Sequence, residues 1–170
     1  MARKTNIKAE KPVEKLEKNL VGIAGVYYVA AKLTHMGYVA LVTMRNTKAY
    51  DILVFKHGER NVLPVQVKTR SSGGFRVVGI DDIQHMDAEL KKKVTCPYVL
   101  VDLRSDAPDF YILSEKQMHT MVKEDWRIWE FEHNHRKPVK KTNVQIIFQS
   151  PKTTTLLQKY KNAWENLHLE

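Results

Sequence analysis

Residues 50–70 read YDILVFKHGERNVLPVQVKTR, and no other stretch constrains the fold as strongly. Two β-type runs, 50–56 and 62–69, flank a turn containing Gly58, which is the pattern of a β-hairpin. Strand side chains alternate between faces. On the second run Val65 and Val67 point one way, and Pro64, Gln66 and Lys68 the other. On the first run Asp51, Leu53 and Phe55 share one face, and Ile52 and Val54 the opposite one. A turn around residues 58–60 sets Asp51 across from Gln66 or Lys68. Directly opposed residues lie on the same face, with Cβ atoms about 5 Å apart. The hairpin therefore predicts a carboxylate, an amide and an ammonium converging at one end, among mostly apolar neighbours.

That trio has a chemical use. A carboxylate and an amide oxygen can hold a hard divalent cation such as Mg²⁺, which takes a few protein oxygens and keeps its waters. A neighbouring lysine can orient an attacking water and offset phosphate charge, an arrangement suited to phosphodiester hydrolysis. The plainer reading is an Asp–Lys salt bridge on an exposed sheet face.

The rest of the chain supplies a frame for the hairpin. Apolar residues Leu16, Leu20, Ile23, Tyr27, Ala30 or Ala31, and Leu33 recur at three- and four-residue steps, predicting a helix over 13–36, with Gly37 at the C′ position. Gly22 and Gly25 inside it mark either a close packing surface or a break, with a second helix starting at Leu20. Residues 38–44 read as a strand. The loop SSGG (71–74) precedes a further strand or extension at 76–80. Residues 81–93 read as a helix with Asp81 as N-cap. PYVLVDL (97–103) reads as a buried strand and DFYIL (109–113) as another. Ser114 and Gln117 form a candidate capping box for a short helix. Residues 125–143, rich in Trp, His and Lys, read as irregular, 144–148 as a strand and 155–167 as a closing helix. Helix, three strands, helix, strand and then additions make an α/β fold with a mixed sheet.

At this point the residues carry a resemblance. GIAGVYYVAAKLTHMGYVALVTMRNTKAYDILV followed by VLPVQVKT, roughly residues 20–103, resembles the PD-(D/E)XK nuclease superfamily, in particular Holliday-junction-resolvase-like endonucleases. The resemblance implies a restriction-endonuclease-like core, a central mixed β-sheet flanked by helices. It also implies a catalytic set of Asp51, Gln66 and Lys68, with Mg²⁺ or Mn²⁺ held by Asp51 and Gln66. DNA, branched DNA included, is the implied substrate, and a homodimer the implied assembly. Two departures stand out. Gln66 occupies the second acidic position, and Val26 stands where the preceding helix of such enzymes usually carries Glu. Glu17 lies nine residues from Val26, roughly 13 Å along a helix, too far to substitute. Asp51 is then the lone carboxylate, and two readings stay open: a metal-dependent endonuclease, or a degenerate nuclease fold that binds nucleic acid or a protein partner. A toxin–antitoxin or defence role has no direct sign.

Around the trio, Arg45, Asn46 and Arg70 are candidate nucleic-acid contacts, with Thr69 and Ser71 beside them; each also reads as an ordinary loop residue. The net charge of +9 on 170 residues suits a polyanionic partner. The basic N-terminal arm and HRKPVKK (135–141) are candidates for salt-dependent phosphate attraction, or simply solvated charge. Lys91, Lys92 and Lys93 complement a helix dipole. His133 and His135 could hold a metal on an extended strand, but surface histidines are commoner. Trp126, Trp129 and Trp164 read as core or cover. The single Cys96 excludes an intramolecular disulfide and a C-x-x-C zinc site, and its apolar neighbours place it in the core. Residues 1–12 read as a flexible arm and 13–170 as one domain with additions after about residue 104. With no signal peptide and no apolar run long enough to span a membrane, the expectation is a soluble cytoplasmic protein.

Overall fold

The computed structural model describes residues 17–44, 50–133 and 142–169. The first helix, α1 (Lys18–His35), is continuous, so the glycines do not break it. Its buried positions, Val21, Gly25, Val29, Ala30 and Leu33, follow the helical period. Gly37 ends it with φ +91°, and its N–H reaches the Thr34 carbonyl at 3.0 Å. Gly25 is the close-packing position: an added Cβ would lie 1.8 Å from Thr69 Oγ1. Around Gly22 nothing stands within 4 Å.

Strands β1 (Tyr38–Val42), β2 (Ile52–Lys56) and β3 (Leu63–Arg70) are followed by β5 (Tyr98–Asp102) and β6 (Asp109–Leu113) in one five-stranded sheet, ordered β1-β2-β3-β5-β6. Pairing is antiparallel throughout except between β3 and β5, which run parallel. The expected α/β fold with a mixed sheet and flanking helices is therefore present. The expected hairpin is β2–β3, with Ile52 facing Val65 and Val54 facing Leu63. Val65, Val67, Val99 and Val101 face α1 in one buried cluster with Ile52 and Val54. Tyr98 and Leu100 face a second cluster on the other side. All five residues of β5 are buried, as its unbroken apolar run implied.

That second cluster rests on elements the sequence did not reveal as partners. Strand β4 (Phe75–Asp82) pairs antiparallel with β7 (Thr142–Phe148) in a separate two-stranded sheet. Helices α2 (Met86–Lys93), α3 (Glu115–His133) and α4 (Pro151–Leu157) complete this half. The expected N-cap at Asp81 moves by one residue. Both residues belong to β4, and the Asp82 carboxylate accepts from the Gln84 N–H at 2.9 Å to start a 3₁₀ turn before α2. The Ser114–Gln117 capping box forms, with Ser114 N donating to Gln117 Oε1 at 2.8 Å. It opens a 19-residue helix rather than a short one. Buried Met118, Met121, Val122, Trp126 and Ile128 continue its apolar stripe through a segment whose Trp and His content suggested irregular structure. The closing helix expected over 155–167 is instead the end of α4 and two 3₁₀ turns, Gln158–Tyr160 and Trp164–Leu167. The chain leaves helical geometry where Lys161 bridges to Tyr111 of β6 and Asn162 takes φ +56°.

The remaining sequence features have structural employment. Lys93 pairs with Asp81 at 2.7 Å and Glu89 at 2.9 Å. His133 is not on a strand: it ends α3, stacked on Trp129, with Nδ1 2.8 Å from the Trp129 carbonyl. Trp126 is buried and Trp164 packs on Phe110. Cys96 is buried, which pushes its thiol up to about 11. Residues 1–16, with the expected flexible arm, and His135 lie outside the described residues, as does the 135–141 segment.

Two stability outcomes follow. Gly25→Ala gains helix propensity but forces the helix off Thr69. A net loss of about 1–3 kcal/mol is expected in urea unfolding, as for an overpacked core; an unchanged midpoint would disprove the close approach. Asp125 is buried beneath α4, its Oδ1 accepting from Thr153 Oγ1 at 2.6 Å. Burial, opposed by that hydrogen bond, pushes its carboxyl up to about 6. A raised carboxyl pKa means the native state holds the proton more tightly than the unfolded chain. This contribution is most favourable below about pH 4 and is lost as pH rises toward 6. Asp125→Asn is accordingly expected to stabilise by roughly 1–3 kcal/mol at pH 7.5 and to give no gain at pH 4, read as paired thermal melts.

Candidate active site

The site forms where β2 stops and β3 continues. Asp51 immediately precedes β2. Its N–H donates to the Val65 carbonyl at 2.9 Å, and its carbonyl accepts from the Thr43 N–H at 2.9 Å. These bonds tie it to both neighbouring strands. Two residues further along β3, the Val67 N–H meets the Asp51 side chain, donating to Oδ2 at 2.8 Å. The carboxylate thus takes the place of a ladder partner. Gln66, across the hairpin, donates from Nε2 to the same oxygen. On its other edge Gln66 N–H bonds to the Pro97 carbonyl at 3.0 Å, which anchors β3 at the start of β5. Of the two partners open to Asp51, the register selects Gln66.

Asp51, Gln66 and Lys68 line one cleft of about 460 Å³, closed on its other side by the first half of α1. Lys18, Asn19, Val26 and Tyr27 line the helix side. Among the described residues Asp51 is the one acidic side chain that lines the cleft, together with Lys18 and Lys68. Val26, at the position where a glutamate would complete the resemblance, faces into the cleft, whereas Glu17 does not line it. Among the described residues no carboxylate is ion-paired with Lys68, and no group of three or more His, Cys, Asp or Glu is placed to hold a metal ion. Asn19, Tyr27 and Thr43 were missed in the sequence. The helical period held the signal for two of them, because Asn19 stands seven positions before Val26 and Tyr27 four after Ile23, spacings that share a helix face.

The wider comparisons leave the fold to be argued from the chain. No family model matches it, and no curated protein does. Among solved structures it is similar to a bacterial homing endonuclease, with 14% identity, 87% of this chain and 90% of the other covered, and a TM-score of 0.46. No helix among the described residues is long and apolar enough to cross a membrane.

The other expected contacts divide. Arg45 and Asn46 lie outside the described residues. Arg70 is corrected by its placement: it is 4% exposed and turned inward. Its Nε and Nη2 donate to Asp102 Oδ2 at 3.0 and 2.6 Å, and its guanidinium lies 4.2 Å from the Phe75 ring centre. Arg70 faces Asp102 in the parallel β3–β5 register, which explains the pairing. Thr69 sits under Gly25, with its buried hydroxyl unpartnered. Ser71 lines a second cleft that shares Lys18 with the first. Burial pushes the Asp102 carboxyl up, but hydrogen bonds from Arg104 and Arg70 outweigh it and hold the group below the usual carboxylate range. Asp102→Ala strands the buried Arg70 charge, and a loss of about 3–5 kcal/mol is expected. A drop below 1 kcal/mol in the urea-derived stability would show that the pair does not hold this end of the sheet.

Proposed function

We propose that the protein is a divalent-metal-dependent DNA endonuclease whose phosphodiester hydrolysis occurs in the Asp51–Gln66–Lys68 cleft. The observation that carries this reading is the hairpin register. It joins Asp51 to Gln66 and places Lys68 in the same cleft, with no carboxylate bound to its ammonium among the described residues.

The residues fit a weakly held hard cation. Mg²⁺ and Mn²⁺ accept carboxylate and amide oxygens and commonly complete their shell with water and substrate phosphate. Asp51 would supply the carboxylate and Gln66 its amide oxygen. Gln66 now presents its nitrogen to Asp51; a half-turn of the amide presents the oxygen instead. When bound, such a cation supplies charge neutralisation at phosphorus and a more acidic water. The chain's own groups do the rest. Lys68 hydrogen-bonds a non-bridging phosphate oxygen and stabilises the charge that builds there as water oxygen bonds to phosphorus and the ester P–O bond breaks. Lys18 attracts the neighbouring backbone. A homodimer would place two such clefts on one DNA.

A second reading is favoured by one observation. Val26 lines the cleft where an acid would strengthen metal binding, which suits a protein that binds DNA without efficient cleavage. Cleavage of linear, nicked, flapped and four-way DNA in Mg²⁺ or Mn²⁺ separates the two. The nuclease reading expects cutting by the wild type and a loss of at least about 100-fold in Asp51→Ala and Lys68→Ala, with Val26→Glu lowering the metal concentration needed. No cutting of any substrate, or cutting indifferent to both substitutions, overturns it. A gel shift that survives EDTA and fades with salt would then identify the binding module.

A further inference from the structure

The cleft has a wall that phosphate chemistry does not use. Besides the polar trio, Ile23 and Tyr27 of α1, Val42 at the end of β1 and Met44 just beyond it line the same space. They are exposed at 36%, 62%, 42% and 87% respectively. A soluble surface that sets an aromatic ring and three aliphatic side chains beside two lysines invites a ligand with both characters. The sugar–phosphate backbone of a duplex offers charge but hides its base faces inside the stack. An unpaired nucleotide offers a phosphate and a free π-face on the same unit.

Resting on the nuclease reading of the same cleft, we propose that the site takes an unpaired nucleotide. The phosphate sits against Lys68 and Lys18, and the base lies against Tyr27 with Ile23 and Met44 beside it. The space of about 460 Å³ is within the usual range for a small-molecule site. The charges agree with the assignment, since among the described residues one carboxylate and two lysines line the cleft and the chain carries +9 overall. The preferred substrate is therefore DNA with a single-stranded tail, gap or flap, and selection is by stacking rather than by base-edge hydrogen bonds, so it is tolerant of sequence.

The occupant to be tested against is a second copy of the chain, because exposed apolar residues continue past the cleft at Leu20 and Leu41, the latter on the edge strand β1. Binding of the full chain is measured by fluorescence anisotropy in EDTA, so that no cleavage enters the readout. A blunt duplex is compared with the same duplex bearing a short single-stranded tail. The tailed DNA is expected to bind at least tenfold more tightly. Tyr27→Ala is expected to weaken tailed-DNA binding by roughly 5- to 150-fold, the span of one lost base stack, and Tyr27→Phe to retain it. Light scattering on the same samples is expected to show an unchanged mass for Tyr27→Ala, and thermal melts verify that each variant is folded. Equal affinity for blunt and tailed DNA, or a preference that survives Tyr27→Ala, overturns the proposal. So does a fall in mass in Tyr27→Ala, which would assign the wall to a self-interface. These outcomes are separate from the nuclease reading, which stands or falls on the cleavage response to Asp51→Ala and Lys68→Ala.

Discussion

Strand β3 is the member on which the architecture depends. It is hydrogen-bonded on both edges, antiparallel to β2 and parallel to β5. A parallel neighbour requires a crossover, and the chain supplies it through β4 and α2. With both edges committed, β3 cannot slip by one residue without turning Val65 and Val67 out of the buried cluster they share with α1. The same register carries Asp51 to Gln66 and Arg70 to Asp102. The candidate site and the buried ion pair thus lie on the two edges of one strand. Where β2 falls short of covering β3, the Asp51 carboxylate takes over the exposed Val67 N–H. A lone acid at a strand start has a structural use here before any chemical one.

How much of this the sequence displays depends on the range of the interaction. The hairpin is legible because its period, its turn glycine and its polar interruptions all lie within 21 residues. Gly37 and the Ser114–Gln117 cap are legible for the same reason, since each acts on backbone within a few residues. The pairing of β4 with β7 is not, because Phe75 meets Phe148 across nearly half the chain and no local pattern names a distant partner. Arg70 shows the same limit from the side of the site. Alternation places it on the Gln66 and Lys68 face, but whether that face is open or covered depends on Asp102 and Phe75, which only the assembled sheet brings near. The length of α3 was hidden differently. Its stripe was present, but the Trp, His and Lys content of 125–143 reads as irregular until the stacking of Trp126, Trp129 and His133 along one helix side is seen.

The amide at position 66 changes the electrostatics of the cleft in a way that bears on both readings of function. A second carboxylate beside Asp51 would leave two like charges in contact whenever no cation was bound, and that repulsion favours protonation or separation of the pair. Gln66 removes the conflict, because its NH₂ donates to Asp51 and leaves the site satisfied without metal. The cost falls on cation affinity, since one fewer negative charge attracts the ion. The benefit falls on the polyanion. With Asp51 already sharing its charge with the Gln66 amide and the Val67 N–H, the proposed reading has Lys18 and Lys68 attract a phosphate before any cation arrives. A substrate that brings its own oxygens to the metal can then complete a shell that the protein leaves short. Under the proposed function, metal and nucleic acid would bind such a site with mutual assistance. By linkage, each raises the affinity of the other by the same factor, which an acid-rich cleft with a metal already held would not require.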